Sequence, residues 1–411
     1  VGSIPITRST SRGTPRVHAA ADLSAESNRP LRVLHVISSL SPALGGPSAA
    51  LPMFERALTS RGITVTTVTT DDDGPGRRLS DPPTRTPHGT ARVYLPRTLH
   101  THHYCASFPA WFAAHAPQHD LVHIHGAFSH VPMRAARVAR RLELPYIVRP
   151  CGILSAYGMS RRAWAKALSL RWVEAPALRG AAAIHVTSAA ERADIEALIP
   201  GRLTFAEIPL GIEAAPAGDA GRWLTRHPAL QGARQRLLFL SRVDPKKNLE
   251  ALIDALRLLP GDLVLSICGD GDIEYRRQLE LRARNAGVVD RIVWAGHVSG
   301  SDKADALAAA DLFVLPSFAE NFGIAAVEAL LAGRPCILGE GVGIAGTVAA
   351  AGAGLAVAPT AAAVAAAIRS LETAALLRMS TAARELAAER YSPEAMGMAL
   401  EALYRDILAR R

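Results

Sequence analysis

Several familiar signatures are missing from the chain. No Gly-Lys-Ser/Thr triplet occurs, which excludes the phosphate loop of the common nucleoside triphosphatases, and no Gly-x-Ser-x-Gly elbow marks a hydrolase nucleophile. Four cysteines, Cys105, Cys151, Cys268 and Cys336, show no paired spacing, so a disulfide framework is not expected. Cys268 and Cys336 sit in apolar runs, as buried thiols do, and a reducing cytoplasm is the expected setting. Aromatic residues make up only 5% of the chain and do not alternate with basic ones, which argues against a nucleic-acid partner. No uninterrupted apolar run reaches about 18 residues, so no membrane-crossing helix is expected. The first 29 residues lack the apolar core of a secretory signal, and their Ser, Thr, Arg and Pro content predicts disorder. A metal-ligand set is also incomplete. His123 and His125 alternate along one strand and share a face, but no acidic or cysteine ligand stands near them in sequence, so no metal is expected there.

What remains is a globular chain of 411 residues, 49% hydrophobic and 20% charged, long enough for two domains. The formal net charge of +9 is unevenly placed: residues 1–200 hold 23 Lys+Arg against 13 Asp+Glu, and the remainder is nearly balanced. Arg134, Arg137, Arg140 and Arg141 form one basic cluster, and Arg161, Arg162, Lys166 and Arg171 another. Such a face suits an anionic membrane or a lipid diphosphate; read alone, it equally suits solvated helices.

Short apolar runs alternate with helical patterns along most of the chain, which predicts doubly wound parallel sheets. The first set of strands is predicted near residues 31–37, 64–69, 92–95, 120–124, 146–149 and 183–187. Residues 208–221 (IPLGIEAAPAGDAG) read as a hinge, and the alternation then restarts. The second set is predicted near 236–240, 263–268, 291–294, 312–315, 336–338 and 354–357. Ser188 with Glu191 three residues later reads as a capping box. Two such domains facing each other enclose a cleft at the carboxyl ends of their strands.

The loops after those strands carry the candidate chemistry. Gly45-Gly46-Pro47 lets backbone approach an anion before a helix. Ser241 to Lys247 offers Arg242 and Lys247, a guanidinium and an ammonium suited to a diphosphate. Gly269-Asp270-Gly271 is half a dinucleotide fingerprint, with Glu274 where a third glycine belongs, and reads as a tight turn. Ala295-Gly296-His297-Val298 follows another strand. The richest stretch is 315–337, LPSFAENFGIAAVEALLAGRPCI: strand end, loop, helix, next strand. Glu320 and Glu328 are eight residues apart, so a loop bending toward the helix start brings two carboxylates and free N–H groups to one polyhydroxylated anion.

Taken together, Glu320-Asn321-Phe322-Gly323 through Glu328 resembles the E-x7-E segment of the GT4-type (group 1) retaining glycosyltransferases. Gly45-Gly46, the Arg242–Lys247 pair, Gly269-Asp270-Gly271, Ala295-Gly296-His297 and Glu389 to Ser392 resemble further family landmarks in the same order. The resemblance implies a GT-B fold: two Rossmann-like domains around a cleft, with a C-terminal helix crossing back. It implies an acceptor domain over residues 30–210 completed by the helix at 393–411, and a donor domain over 211–392. It further implies a nucleoside-diphosphate sugar as donor substrate, with no cofactor and no metal. By position, Glu320 contacts donor-sugar hydroxyls and Glu328 the ribose hydroxyls. Arg242 and Lys247 stabilise the departing diphosphate, and Gly45 and Gly46 approach the same phosphates. Asn321, Phe322, Gly323 and Ile324 present backbone to the donor, with Val298 beside the base. One departure stands out: Cys151 occupies about the place where many relatives carry a histidine, so either another residue, with His125 the candidate, approaches the sugar, or that role is dispensable. The expected activity is retaining transfer of a sugar to a saccharide or lipid-linked acceptor in surface-glycan synthesis, at or near the inner face of a membrane. A nucleotide-sugar epimerase or hydrolase, or a non-catalytic nucleotide-sugar-binding protein, shares the same sequence features.

Overall fold

The computed structural model describes residues 29–160 and 163–411. Of the first 29 residues, where disorder is expected, all but Arg29, which pairs with Asp120 at 2.6 Å, lie outside the described residues, as does the Arg161-Arg162 part of the second basic cluster. Among the described residues thirteen strands form two sheets, and every pairing within them is parallel. The first sheet contains β1 (Arg32–Ser39), β2 (Thr64–Thr70), β3 (Ala91–Leu95), β4 (Leu121–His125), β5 (Tyr146–Arg149), β6 (Ala183–Val186) and β7 (Phe205–Glu207), in the order β3-β2-β1-β4-β5-β6-β7. The second contains β8 (Gln235–Leu240), β9 (Leu263–Cys268), β10 (Ile292–Gly296), β11 (Leu312–Leu315), β12 (Cys336–Gly339) and β13 (Gly354–Val357), in the order β10-β9-β8-β11-β12-β13. Both reverse direction beside their first strand, at β1/β4 and at β8/β11. Loops leaving such a switch point splay apart and open a crevice.

Helices cover both faces of each sheet, which is why the strands read as continuous apolar runs. On β1 the odd residues Val33, His35 and Ile37 share one face with Phe54 of helix Gly46–Thr59, and Leu34 and Val36 pack on the other. The last helix, Pro393–Ala409, lies on the first sheet's side. Its Gly397 packs against the backbone of Ala57, Glu401 pairs with Arg61 at 2.5 Å, and the Tyr404 hydroxyl reaches His123. The chain therefore crosses between the two sheets twice, and the crossings touch: the Ile212 N–H donates to the Tyr391 carbonyl at 2.7 Å. Among the described residues, no helix is long and apolar enough to cross a membrane.

The helical segment before β6 is broken. Helix Ala163–Ser169 passes into a wide π turn at Leu170–Glu174 before helix Ala175–Arg179. Ser188 caps helix Ala189–Leu198 as expected, its hydroxyl accepting from the Glu191 N–H at 3.2 Å. The Glu191 carboxylate does not complete the box. It accepts instead from the Thr187 N–H (2.8 Å), the Thr187 hydroxyl (2.9 Å) and the Gly152 N–H (2.6 Å), and so ties the β5 and β6 loops together.

Candidate functional site

Two cavities, of about 600 and 570 Å³, open along the carboxyl ends of the two sheets and share Glu320, Gly323 and Ile324. The first lies between the domains. Gly46, Pro47, Arg149 and Cys151 line one wall, and Lys246, Asn321 and Phe322 are on the other. The second is confined to the C-terminal sheet and is lined by Arg242, Lys247, Asp270, Val298, Lys303 and Glu328.

Local backbone explains why Glu320 stands at the junction. The Pro316–Gly323 loop leaves β11 and is bonded on both sides. The Phe318 N–H donates to the Lys246 carbonyl (3.0 Å), the Glu320 N–H to the Gly341 carbonyl (2.9 Å), and the Gly343 N–H to the Glu320 carbonyl (2.8 Å). Gly323 then takes φ +101°, a left-handed conformation that opens helix Ile324–Leu331. No side chain caps that helix and no acidic residue stands in its first turn, so its N-terminal N–H groups and dipole face the shared wall.

Two ion pairs line the second cavity. The Lys247 ammonium pairs with Glu320, and Lys303 pairs with Glu328 at 2.5 Å. Asp244 begins the turn that delivers Lys247, its carboxylate accepting from the Lys246 N–H at 3.0 Å. Arg242 is exposed at the rim. Across the first cavity the domains touch: the Asn321 side-chain amide donates to the Thr187 hydroxyl at 3.3 Å. Gly152, with φ +73°, comes so close that a Cβ there would lie 2.3 Å from the Asn321 side chain.

The structure thus brings Arg242, Lys247, Glu320, Gly323, Ile324, Glu328 and Val298 around the second cavity, with Gly46, Asn321 and Phe322 along the first. Gly45, at φ +92°, sits just before Gly46 at the helix start. His125 is not brought to either cavity. It is 1% exposed, and its Nε2 lies 2.8 Å from His35 Nδ1. Register explains this. On β1, β4, β5 and β6 the same sheet face carries His35, His123, His125, Arg149 and His185, beneath Phe54. Burial first, and the Arg149 charge second, lower the His35 and His185 pKa values to about 3; burial also holds His123 and His125 well below the ordinary range. These four imidazoles are neutral near pH 7.

Their hydrogen bonds fix a direction. His185 Nε2 faces the Ile208 carbonyl at 2.8 Å and must donate to it. Its Nδ1 therefore accepts from His123 Nε2 at 3.2 Å, and His123 Nδ1 accepts from the Tyr404 hydroxyl at 2.8 Å. Ring nitrogens of His35, His123 and His125 lie within 4.8 Å of one another, a donor set with metal-ligand chemistry, yet the Arg149 guanidinium beside them opposes added positive charge.

Arg149 itself was not anticipated. It is 3% exposed, its guanidinium lies 4.9 Å from the Phe54 ring centre, and Nε and Nη1 are buried without a partner, while the side chain lines the first cavity. Lys303 and Glu191 were also missed. Lys303 follows a turn with no charge pattern to single it out, and Glu191 reads as a cap. Cys151 does line the first cavity at φ +61°, and burial pushes its thiol up.

Comparison with known proteins agrees with this architecture. Residues 225–386 match the family described as "Glycosyl transferases group 1", and residues 45–211 match the "Glycosyl transferase 4-like domain". A phosphatidyl-myo-inositol mannosyltransferase of Mycobacterium leprae is 36% identical over 162 residues, 38% of this chain and 39% of that relative's length. The fold superposes on sucrose-phosphate synthase from Thermosynechococcus elongatus with a TM-score of 0.74 at 24% identity, over 93% of this chain and all of that one. It superposes on the Anabaena protein HepE, solved in complex with UDP and glucose, with a TM-score of 0.71 at 19% identity, over 92% of this chain and all of that one. Two adjoining family matches and a fold shared from end to end with these structures place the chain in the GT4-type glycosyltransferase family, with the GT-B fold.

Proposed function

We propose that the protein transfers a sugar from a nucleoside diphosphate to a saccharide or lipid-linked saccharide, with retention at the anomeric carbon. The observation that carries this reading is the placement of Glu320. It belongs to both cavities, so a ligand spanning them sets its sugar on one side of this carboxylate and its diphosphate and nucleoside on the other. In the second cavity Glu328 accepts from ribose hydroxyls, and the base lies toward Val298 and His297. The diphosphate meets Arg242, Lys247 and the N-terminus of helix Ile324–Leu331, with Gly45 and Gly46 approaching from the other domain. These cations neutralise the charge that grows on the leaving diphosphate, so the reading requires no metal. Glu320 accepts from hydroxyls of the donor sugar.

The acceptor hydroxyl oxygen bonds to the anomeric carbon as the bond from that carbon to the diphosphate oxygen breaks. The acceptor's proton passes to the departing phosphate oxygen on the same face. No protein nucleophile is required of the first-domain wall, where Arg149, Cys151 and Gly152 stand with Asp194 and with Glu191, whose carboxylate is already committed to Thr187 and the Gly152 N–H.

A thermal-shift panel of nucleoside diphosphates and their sugars tests the donor assignment. A ligand at about 100 times its dissociation constant stabilises by about 2.7 kcal/mol. Stabilisation by one nucleoside diphosphate, lost in Arg242→Ala, is the expected result; no response to any member of the panel overturns the reading.

A further inference from the structure

The segment after β5 carries an exposed apolar face that the cleft does not use. Trp164, Leu168 and Trp172 are 80%, 58% and 67% exposed. They recur every fourth residue along helix Ala163–Ser169 and the π turn that follows it, so they form one stripe on one side. A tryptophan normally buries most of a large apolar surface, and two left in water beside a leucine mark a contact site.

Charge identifies the partner. Arg171 lies 5.4 Å from the Trp172 ring centre, and Lys166 lies 5.5 Å from that of Phe128 while bonding the Gly158 carbonyl at 2.5 Å. Helix His130–Arg141 packs against helix Ala175–Arg179 and exposes Arg137, Arg140 and Arg141. From Leu144 to Ala190 the sequence contains one acidic residue, Glu174, and it is buried, accepting from the Phe128 N–H at 2.8 Å. Glu143, just past helix His130–Arg141, is exposed, but the exposed cations around it outnumber it, and indoles flanked by such cations suit the headgroup layer of an anionic bilayer. A second copy would bring the same basic face against itself. The chain's own first 28 residues carry Arg8, Arg12 and Arg16 against Asp22 and Glu26, and offer no negative complement.

We propose that the Trp164–Leu168–Trp172 face docks the protein on an anionic lipid surface. Ser155 and Gly158, a few residues upstream, line the interdomain cavity, so docking turns the acceptor side of the cleft toward the bilayer. The link to a lipid-borne acceptor rests on the proposed transfer reaction; the docking itself does not.

The full chain is sedimented with phosphatidylcholine vesicles, with and without phosphatidylglycerol. Binding only to the anionic vesicles is expected, weakening as salt rises, with a blue shift of tryptophan emission. Trp164→Ala/Trp172→Ala and, separately, Arg137→Glu/Arg171→Glu each reduce binding at least tenfold. Their melting temperatures stay near wild type, and so does turnover of any water-soluble acceptor. Absence of vesicle binding, or binding unchanged in both variants, overturns the proposal. So does a dimer in light scattering that the tryptophan variant makes monomeric, or vesicle binding that appears only once residues 1–28 are removed. An enzyme inactive on every acceptor that still binds anionic vesicles removes the transfer reading and leaves the docking surface standing.

Discussion

Lys247 and Glu320 pair with each other on the wall that separates the two cavities, one delivered by the loop after β8 and the other by the loop after β11. Each is the other's counter-charge here; in the proposed reaction a donor brings a diphosphate to the ammonium and hydroxyls to the carboxylate. The two variants should therefore differ. Lys247→Met weakens nucleoside-diphosphate binding by about tenfold or more, the loss of a charge-assisted contact. Glu320→Gln leaves that binding unchanged or tighter, because the ammonium is released, yet removes transfer. Isothermal titration with a nucleoside diphosphate, beside a turnover assay, separates them; parallel losses of binding in both variants contradict the assignment.

Arg149 is a buried guanidinium that no carboxylate among the described residues pairs. Desolvating an unpaired cation is costly, and a stacking contact with Phe54 offsets only part of that cost. Arg149→Met is expected to raise the melting temperature by about 1 °C, roughly 1 kcal/mol in a chain of this size. The same change should lower affinity for anionic ligands of the cleft. A lower melting temperature would show that the guanidinium stabilises the fold.

The histidine cluster sets an acid limit on stability. His35, His123, His125 and His185 are neutral in the folded protein and protonate readily once unfolded, so the unfolded chain binds more protons below about pH 6.5. Stability therefore rises with pH there and is lost as pH falls from 6.5 toward 3, each group adding at most about 1.4 kcal/mol per pH unit. Glu174 acts the other way. Burial lifts its carboxyl to about 7, so between about 4.5 and 7 it favours the folded state more at lower pH. Four groups outweigh one. Thermal melts across this range should show a falling melting temperature on acidification, shallower in His185→Gln and steeper in Glu174→Gln.

Gly152 faces Asn321 across the cleft with no room for a methyl group. Gly152→Ala also forces an L residue to φ +73°, at a cost of about 1 kcal/mol or more. Transfer should fall much further than stability does, because the domains can no longer approach at this point. Measured turnover close to wild type would mean that this contact does not form in the working enzyme.

The fold was legible wherever a strand is buried on both faces. The run Leu312 to Leu315 reads as a strand because nothing polar interrupts it, and β11 is found at Leu312–Leu315. β7, Phe205–Glu207, was not read: it is a three-residue edge strand, only partly buried, and its sequence has no alternation to detect. In the cavities, residues following a strand end were legible because chain order alone places them at the crevice. The histidine cluster was half legible. His123 and His125 announce a shared face by their spacing, but His35 and His185 join them only through the register of neighbouring strands. An arginine ending a strand reads as a solvated terminus, so nothing in sequence marks Arg149 as buried and unpaired. Glu191 follows a serine at capping distance, and the local rule hides its longer reach to Gly152.

The two crossings that meet at Ile212 and Tyr391 lie to one side of the cleft, and the Ile212 N–H bond makes them a single joint. A body jointed at one edge moves as a lever. A bend of a few degrees there displaces the far lip most and leaves groups beside the joint nearly in place. Arg390 and Glu207, 3.6 Å apart, stand beside the joint, where such a bend would move them least. The Asn321–Thr187 bond joins the two domains across the cleft, and would have to break for the cleft to open at that point.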